Sequence, residues 1–232
     1  MGVVSPVGLD EKTLWQNMID GRHGIRPLTL LKPEEFKARN GGEVDQALFS
    51  AALAARQIRP VDRAVDMAML AAAQALEAAG LVNTNEQQRR NVATIIGSGG
   101  GAVQSVDDAY RRYAEGDLRG IRPTTVVRII NNSISSSVSI RFGLTGPNYI
   151  ITSACTSATN AMGVALRMVR DGYAEQVLCG GTEALLIRNI YGAWDKIGAM
   201  SVNPDHNCAS RPFDLARDGF VMGEGAAMVV IE

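Results

Sequence analysis

The sequence predicts an α/β protein on three observations. Ala-rich stretches with helical spacing alternate along the chain with short runs of Val and Ile. The 24 glycines interrupt both kinds of segment. Hydrophobic residues make up 46% and charged residues 20% of the 232, which is typical of a globular protein. A chain of this length can bury the core of one large domain or of two small ones.

The helices are predicted from capping residues and apolar spacing. The first begins after Asp10, a good N-cap, and stops at Gly21. The longest covers 62–79, because apolar residues recur there three and four positions apart, alanine is abundant, and Gly80 follows. Further helical segments are predicted at 33–36, 102–116, 123–143 and 157–170.

Four short apolar runs bounded by turn residues predict the strands. They lie at 91–97, 148–152, 175–181 and 225–232. The paired glycines Gly180 and Gly181 are expected to end the third of them. Strands that alternate with helices in this way define the α/β class.

Cys155 lies between a predicted strand and a predicted helix, among small residues. The positive end of a helix dipole and the unpaired N–H groups of its first turn favour a thiolate there. A sharp strand-to-helix turn would also expose the sulfur, as a nucleophile elbow exposes a serine. A small buried hydrophobe is the structural alternative, and position alone leaves both interpretations open.

The other cysteines and the glycine-rich loop carry weaker signals. Cys179 lies inside an apolar strand, so burial is expected. Cys208 and His206 would supply only two ligands, so we predict no metal site. The loop at 97–102 fits a dinucleotide fingerprint, but the strand with an acidic end that should follow is missing. We therefore expect its glycines to allow close backbone approach rather than to bind a nucleotide.

Charge and composition argue against several classes of partner. The net charge of −1 gives no basic field for nucleic acid, and no apolar run is long enough to span a bilayer. No signal-peptide pattern is present, and three cysteines without a CxxC spacing suggest reduced thiols. We expect a cytoplasmic protein that needs no cofactor and contacts neither nucleic acid nor membrane.

Five stretches, in this order and spacing, resemble the N-terminal half of the β-ketoacyl-[acyl carrier protein] synthases, and are closest to the type II condensing enzymes. They are SPVG (5–8), IGSGGG (96–101), GLTGPNYIITSACTSATNAMG (143–163), GGTEA (180–184) and SRPFDLARDGFVMGEGA (210–226). The resemblance covers essentially the whole chain. It implies a thiolase-like layered α/β/α/β/α fold, of which 1–232 is the N-terminal domain.

The resemblance also implies an acyltransferase activity in fatty acid or polyketide synthesis. In this family the motif cysteine takes an acyl group from acyl carrier protein, and a decarboxylated malonyl group then attacks that thioester. Carried across, Cys155 is the acyl-accepting nucleophile, and its own N–H donates one oxyanion-hole hydrogen bond. A homodimer is implied as well. The cysteine argues against the chain-length-factor relatives, which lack it.

The resemblance assigns three substrate-pocket residues. Gly100 stands where type II enzymes often carry a bulkier residue, which suggests a less obstructed pocket. Trp194 aligns with an aromatic pocket residue, and Ile129 lies in the dimer-interface segment that lines the partner's pocket. Ordinary core packing is the alternative for all three. For carrier docking, Arg63 and Arg119 are the candidate basic residues.

The resemblance is incomplete in ways that affect activity. In the family, the C-terminal half carries two catalytic histidines, a lysine and a Gly-Phe-Gly-Gly turn, and we expect that half to be missing here. Neither His23 nor His206 matches the motifs of the two catalytic histidines. The family's first strand is also expected to be missing. The 232 residues alone are therefore expected to be inactive in condensation. A thiolase-like enzyme of coenzyme A thioesters and a non-catalytic dimerising subunit remain alternatives.

Overall fold

A computed structural model describes residues 1–82 and 91–232, and a mixed five-stranded sheet organises them. Its strands are β1 (Gly2–Val4), β4 (Ala93–Gly97), β5 (Asn148–Ile151), β6 (Val177–Ala184) and β7 (Glu224–Ile231). The order is β1-β7-β6-β4-β5. β4 pairs in parallel with β5 and β6, whereas β7 runs antiparallel to β6 and β1. A separate two-stranded ribbon joins β2 (Arg26–Pro27) and β3 (Asn40–Gly41).

The described helices cover both faces of this sheet. They are α1 (Glu11–Ile19), α2 (Gln46–Ala55), α3 (Arg63–Ala78), α4 (Val103–Ala114), α5 (Thr125–Arg128), α6 (Ser133–Phe142), α7 (Ser157–Arg170) and α8 (Arg188–Ile197). The Asp10 side chain caps α1, as the sequence predicted, by accepting a hydrogen bond from the Thr13 N–H. Short 3-10 turns occur at Pro33–Glu35 and Leu118–Gly120.

The two faces of the sheet are buried to different extents. On one face α3 contributes ten of its twelve buried residues to the main core, which also includes residues of α2 and α6. On the other face α7 packs a smaller cluster against β4 and β6 through Ala161 and Ala165. A third cluster, around Tyr191 of α8, lies beyond the end of β6. The start of α7 and the end of β6 lie between the second and third clusters, and residues of both line a cavity.

Three expectations about the elements are corrected by the structure. At the place of the first strand, which was expected to be missing, residues 2–4 form the short strand β1 and pair with β7. The paired glycines do not end β6, which continues to Ala184 along β7. The predicted helix over 123–143 is two helices, α5 and α6, separated around Asn131 and Asn132. The break at 129–132 contains two isoleucines and two asparagines, which are weak helix formers, whereas the serine-rich stretch that follows is helical in α6.

Four further elements, α2, α8, β2 and β3, have no counterpart among the segments predicted from the sequence. Asp45 caps α2 through the Leu48 N–H, so a local signal was present there. α8 instead depends on distant contacts, because the buried Tyr191 hydroxyl donates to the Asn40 carbonyl at 3.0 Å. The two-residue strands β2 and β3 are too short for any periodicity to indicate.

Candidate active site

A cavity of about 720 Å³ opens where the carboxyl ends of β4, β5 and β6 meet. Carboxyl ends of parallel strands are the usual place for ligand sites in α/β proteins. Its walls include Cys155, the glycine-rich loop at 97–100, and Gly181 and Glu183 of β6. Ser5 and Ala226 line it as well, so the cavity brings together all five of the sequence stretches that resemble the synthase family.

Cys155 is held on a strained turn between β5 and α7. It is exposed, and it immediately precedes Thr156, the N-cap residue of α7. Ala154 has a φ of 53°, in the left-handed region that residues with a Cβ avoid at a cost of about 1 kcal/mol or more. Such strain persists only where the surroundings enforce it, which makes the turn a candidate functional feature.

Hydrogen bonds from neighbouring hydroxyl groups enforce this turn. The Ser157 hydroxyl donates to the Ala154 carbonyl at 2.6 Å and accepts from the Ser153 N–H at 2.9 Å. The Thr156 hydroxyl donates to the Ser153 carbonyl at 2.8 Å. Ser157 is buried, so its hydroxyl acts as a fixed brace beneath the cysteine rather than as a surface group.

The backbone N–H of Cys155 remains available to a ligand. The N–H groups of Thr156 and Ser157 donate to the carbonyls of Ser153 and Ala154. Within 1–82 and 91–232, no such bond occupies the Cys155 N–H. Thr156 supplies no side-chain cap either, so the positive end of α7 is left open beside the sulfur. A developing negative charge on a substrate oxygen would be stabilised there.

Two glycines let α7 approach the sheet closely at this point. A Cβ on Gly97 would lie 2.3 Å from the backbone of Ser157, and one on Gly181 would lie 2.5 Å from the Ala158 Cβ. Any side chain at these positions would therefore push the first turn of α7 away from β4 and β6. The prediction that glycines of the 97–102 loop allow another backbone to approach closely is confirmed at Gly97, where that backbone belongs to Ser157.

The rest of the glycine-rich loop binds a carboxylate of the protein itself. The N–H groups of Gly99 and Gly100 donate to Glu183 at 2.7 and 3.0 Å, and the Ser98 hydroxyl reaches it at 3.4 Å. Backbone N–H groups in such loops form anion-binding concavities. Glu183 therefore takes the place that a ligand phosphate would need. Glu183 is not among the site residues predicted from the sequence, although an acidic residue two positions after the paired glycines of a buried strand was a usable signal.

Two of the three predicted pocket residues line the cavity, and the third does not. Gly100 and Trp194 both line the cavity that contains Cys155. Ile129 does not line it; this residue follows α5 and its surface is 38% exposed. Its expected contribution to the pocket of a partner subunit stays a prediction.

The remaining candidate groups lie away from the cavity. His23 and His206 are next to each other, with ring centroids 6.0 Å apart, but neither lines the cavity. Cys208 is exposed in the same loop region, and across the described parts of the chain no group of three acidic, His or Cys residues is arranged to hold a metal. Cys179 is buried as expected, and burial raises the pKa of its thiol to about 11.

Arg63, a candidate for carrier docking, has a structural role instead. Its side chain is only 12% exposed and pairs with the fully buried Glu224 carboxylate, the Nε–Oε2 distance being 2.6 Å. It also donates to the Val44 carbonyl and stacks over Phe49. This expectation is therefore wrong, because Glu224, Val44 and Gln46 already occupy most of the donors of the guanidinium. Arg119 is exposed and stays a candidate.

The comparisons with known proteins agree with this geometry. The family model described as "Beta-ketoacyl synthase, N-terminal domain" matches residues 1–232, so the chain belongs to the β-ketoacyl synthase family. The 3-oxoacyl-[acyl-carrier-protein] synthase 2 of Staphylococcus aureus is 34% identical over 232 residues, which are 57% of its length. The protein of the same name from Synechocystis sp. is 34% identical over 233 residues and 56% of its length. The chain thus spans little more than half of these relatives.

Solved structures confirm the predicted fold. A β-ketoacyl synthase from Burkholderia phymatum superposes with a TM-score of 0.84 at 25% identity, covering 99% of this chain and 56% of that one. A type II polyketide ketosynthase, solved with its acyl-carrier protein, gives a TM-score of 0.85 at 24% identity over 99% of this chain and 55% of that one. The fold is therefore the ketosynthase, thiolase-like α/β fold that the resemblance implied.

One further observation concerns membranes. In the two described ranges of the chain, no helix combines the length and the apolar character needed to cross a bilayer.

Proposed function

We propose that this chain forms the acyl-accepting part of a β-ketoacyl-[acyl-carrier-protein] synthase of fatty acid or polyketide synthesis. The observation that carries the proposal is Cys155, exposed on an enforced strained turn, at the open start of α7 and inside a cavity. An exposed sulfur at a helix start is the usual arrangement of a nucleophilic cysteine. The names of the relatives from Staphylococcus aureus and Synechocystis support acyl carrier protein as the acyl donor.

In the first step the Cys155 thiolate attacks the carbonyl carbon of an acyl-carrier thioester. A sulfur–carbon bond forms, and the carbonyl electron pair moves onto oxygen, where the Cys155 N–H donates a hydrogen bond. The tetrahedral intermediate then collapses and expels the carrier thiolate, which takes up a proton. The acyl group remains on Cys155 as a thioester, with its chain directed into the cavity that Gly100 and Trp194 line.

In the second step a malonyl-carrier thioester loses carbon dioxide, and the electron pair of the broken bond forms a carbanion. That carbon attacks the acyl carbonyl, a carbon–carbon bond forms, and the Cys155 thiolate leaves. The product is a 3-oxoacyl thioester two carbons longer. The described cavity offers no histidine for this step, since His23 and His206 lie elsewhere. We therefore expect the 232 residues by themselves to be inactive in condensation.

The proposal includes a homodimer and a cytoplasmic setting. β5 is an edge strand of the sheet with Tyr149 exposed, and Val126 and Val127 of α5 are exposed beside Ile129. An unpaired strand edge and a neighbouring apolar surface are suited to pairing with a second copy. Such a dimer would bring Ile129 to the pocket of the partner. Exposed Arg119 and Arg122 support docking of an acidic carrier protein.

The test uses the protein that contains this chain, supplied with acyl-carrier and malonyl-carrier thioesters, and detects the 3-oxoacyl product by mass spectrometry. Cys155→Ala should abolish product formation. The matched control is Cys208→Ala, which removes an exposed thiol outside the cavity and should leave the rate unchanged. Product formation by Cys155→Ala at the parent rate would reject the proposal. Acylation from coenzyme A thioesters but not from carrier thioesters would instead favour the thiolase-like alternative.

A further inference from the structure

The end of β6 places a leucine over the glycine-rich loop. Side chains alternate along a strand, so Gly181 and Glu183 face the same side of β6, and both line the cavity together with Leu185. Leu185 is the first residue after β6, and its carbonyl accepts the Ile187 N–H at 2.8 Å. Its side chain also packs against the buried cluster around Tyr191, together with Trp194. The backbone and the side chain of Leu185 are therefore both held in place.

Leu185 fills the volume that a side chain at residue 100 would otherwise occupy. A Cβ built on Gly100 would lie 2.6 Å from Leu185 Cδ2, well inside van der Waals contact. The same Cβ would lie 3.0 Å from a Glu183 carboxylate oxygen and 3.3 Å from Val103 Cγ1. The absence of a side chain at Gly100 therefore does not enlarge the cavity by a full side chain, because the leucine methyl group stands in that space.

The geometry points to Leu185 as the residue that limits the length of the acyl chain bound beside Cys155. This inference rests on the proposed function and names the specificity-determining wall of the same site. Residues 100 and 185 compete for one volume, one from the glycine-rich loop and the other from the end of a strand. Because the leucine belongs to a packed cluster, it provides the firmer wall of the two.

A double-mutant series tests this competition. Leu185→Ala should extend the accepted acyl length, and Gly100→Ala should shorten it by forcing the leucine methyl group into the cavity. The double variant Gly100→Ala/Leu185→Ala should return towards the parent preference, since the new methyl group then has room. Leu48→Ala removes an exposed leucine on α2 outside the cavity and serves as the control. Leu185→Val removes a single methylene and replaces Leu185→Ala if the latter unfolds.

Two readouts separate this inference from the proposed function. The first is alkylation of Cys155 by N-butyl and N-octyl iodoacetamide, in which the sulfur displaces iodide whether or not the protein transfers acyl groups. The second is thioester formation at Cys155 from butanoyl- and octanoyl-carrier donors. Peptide mass spectrometry assigns both products to Cys155 rather than to Cys208.

Leu185→Ala should raise the octyl-to-butyl rate ratio at Cys155 by about tenfold, the effect of adding or removing a methylene or two in an apolar pocket. Octanoyl transfer should rise in parallel. An unchanged alkylation ratio in Leu185→Ala, or a double variant no closer to the parent than Gly100→Ala alone, would overturn the inference. A shifted alkylation ratio with no acyl transfer in any protein would retain Leu185 as the wall but reject the proposed function.

Discussion

Two helices, α3 and α7, begin at the same end of the sheet on opposite faces, and their starts are built differently. At α3 the Asp62 carboxylate accepts from the Ala64 N–H and also from the Ser105 N–H of α4. The Thr182 hydroxyl of β6 donates to the Ala64 carbonyl nearby. At α7, next to Gly181 of the same strand, no side chain caps the first turn, and Cys155 is exposed.

The difference shows how one physical property serves two purposes. The start of any helix carries a partial positive charge and unpaired N–H groups. At α3 the protein satisfies them with its own carboxylate, so that end is closed and holds elements together. At α7 it leaves them open in a cavity, where a substrate oxygen can take the same place. Substitutions at the start of α3 and at the start of α7 are therefore expected to have different effects.

The largest stability effect is expected from the ion pair beside the start of α3. Arg63→Gln leaves the buried Glu224 carboxylate without its partner, so the free energy of unfolding should fall by about 3–5 kcal/mol. Urea denaturation followed by circular dichroism measures it. Arg111→Gln breaks the exposed pair with Asp108 and should cost about 0–1 kcal/mol. Equal losses in the two variants would contradict the assigned structural role of Arg63.

A pH-dependent effect is expected from Asp66 in the first turn of α3. Burial raises the pKa of this carboxyl to about 7, although a hydrogen bond from the Val61 N–H opposes the shift. A raised pKa in the folded state means that the contribution of Asp66 to stability is greatest below about pH 4. It is lost as the pH rises to about 7, by up to about 4 kcal/mol. Asp66→Asn should flatten this part of the curve, whereas an unchanged curve would exclude Asp66 as its source.

The smallest stability effect is expected under the start of α7. Gly97→Ala places a Cβ against the Ser157 backbone and should destabilise the fold by about 1–3 kcal/mol. It should also slow thioester formation, because the turn bearing Cys155 must shift. Gly163→Ala lies on α7, where the nearest atom is 4.0 Å away, and should instead stabilise by about 0.5–1 kcal/mol. Thermal unfolding compares the two, and a neutral Gly97→Ala would show that the close contact has no role.

The comparison also explains what the sequence could predict. The turn that carries Cys155 follows from a local pattern, an apolar strand that stops at small residues before a helix, whereas that pattern left open whether the sulfur is exposed or buried. The fate of Arg63 depends on Glu224, 161 residues further along the chain, and no periodicity reports such a pairing. The same holds for Glu183 and the loop at 97–101, and for Tyr191 and Asn40. Non-local polar contacts are thus the part that only the structure supplies.

The most direct test of the open start of α7 is the location of the acyl group. The protein that contains this chain is incubated with an acyl-carrier thioester, digested, and mapped by mass spectrometry at the three cysteines of this chain. The account predicts a thioester on the peptide carrying Cys155 and none on those carrying Cys179 or Cys208. An acyl group on Cys208, or synthase turnover with Cys155 unmodified throughout, would contradict it.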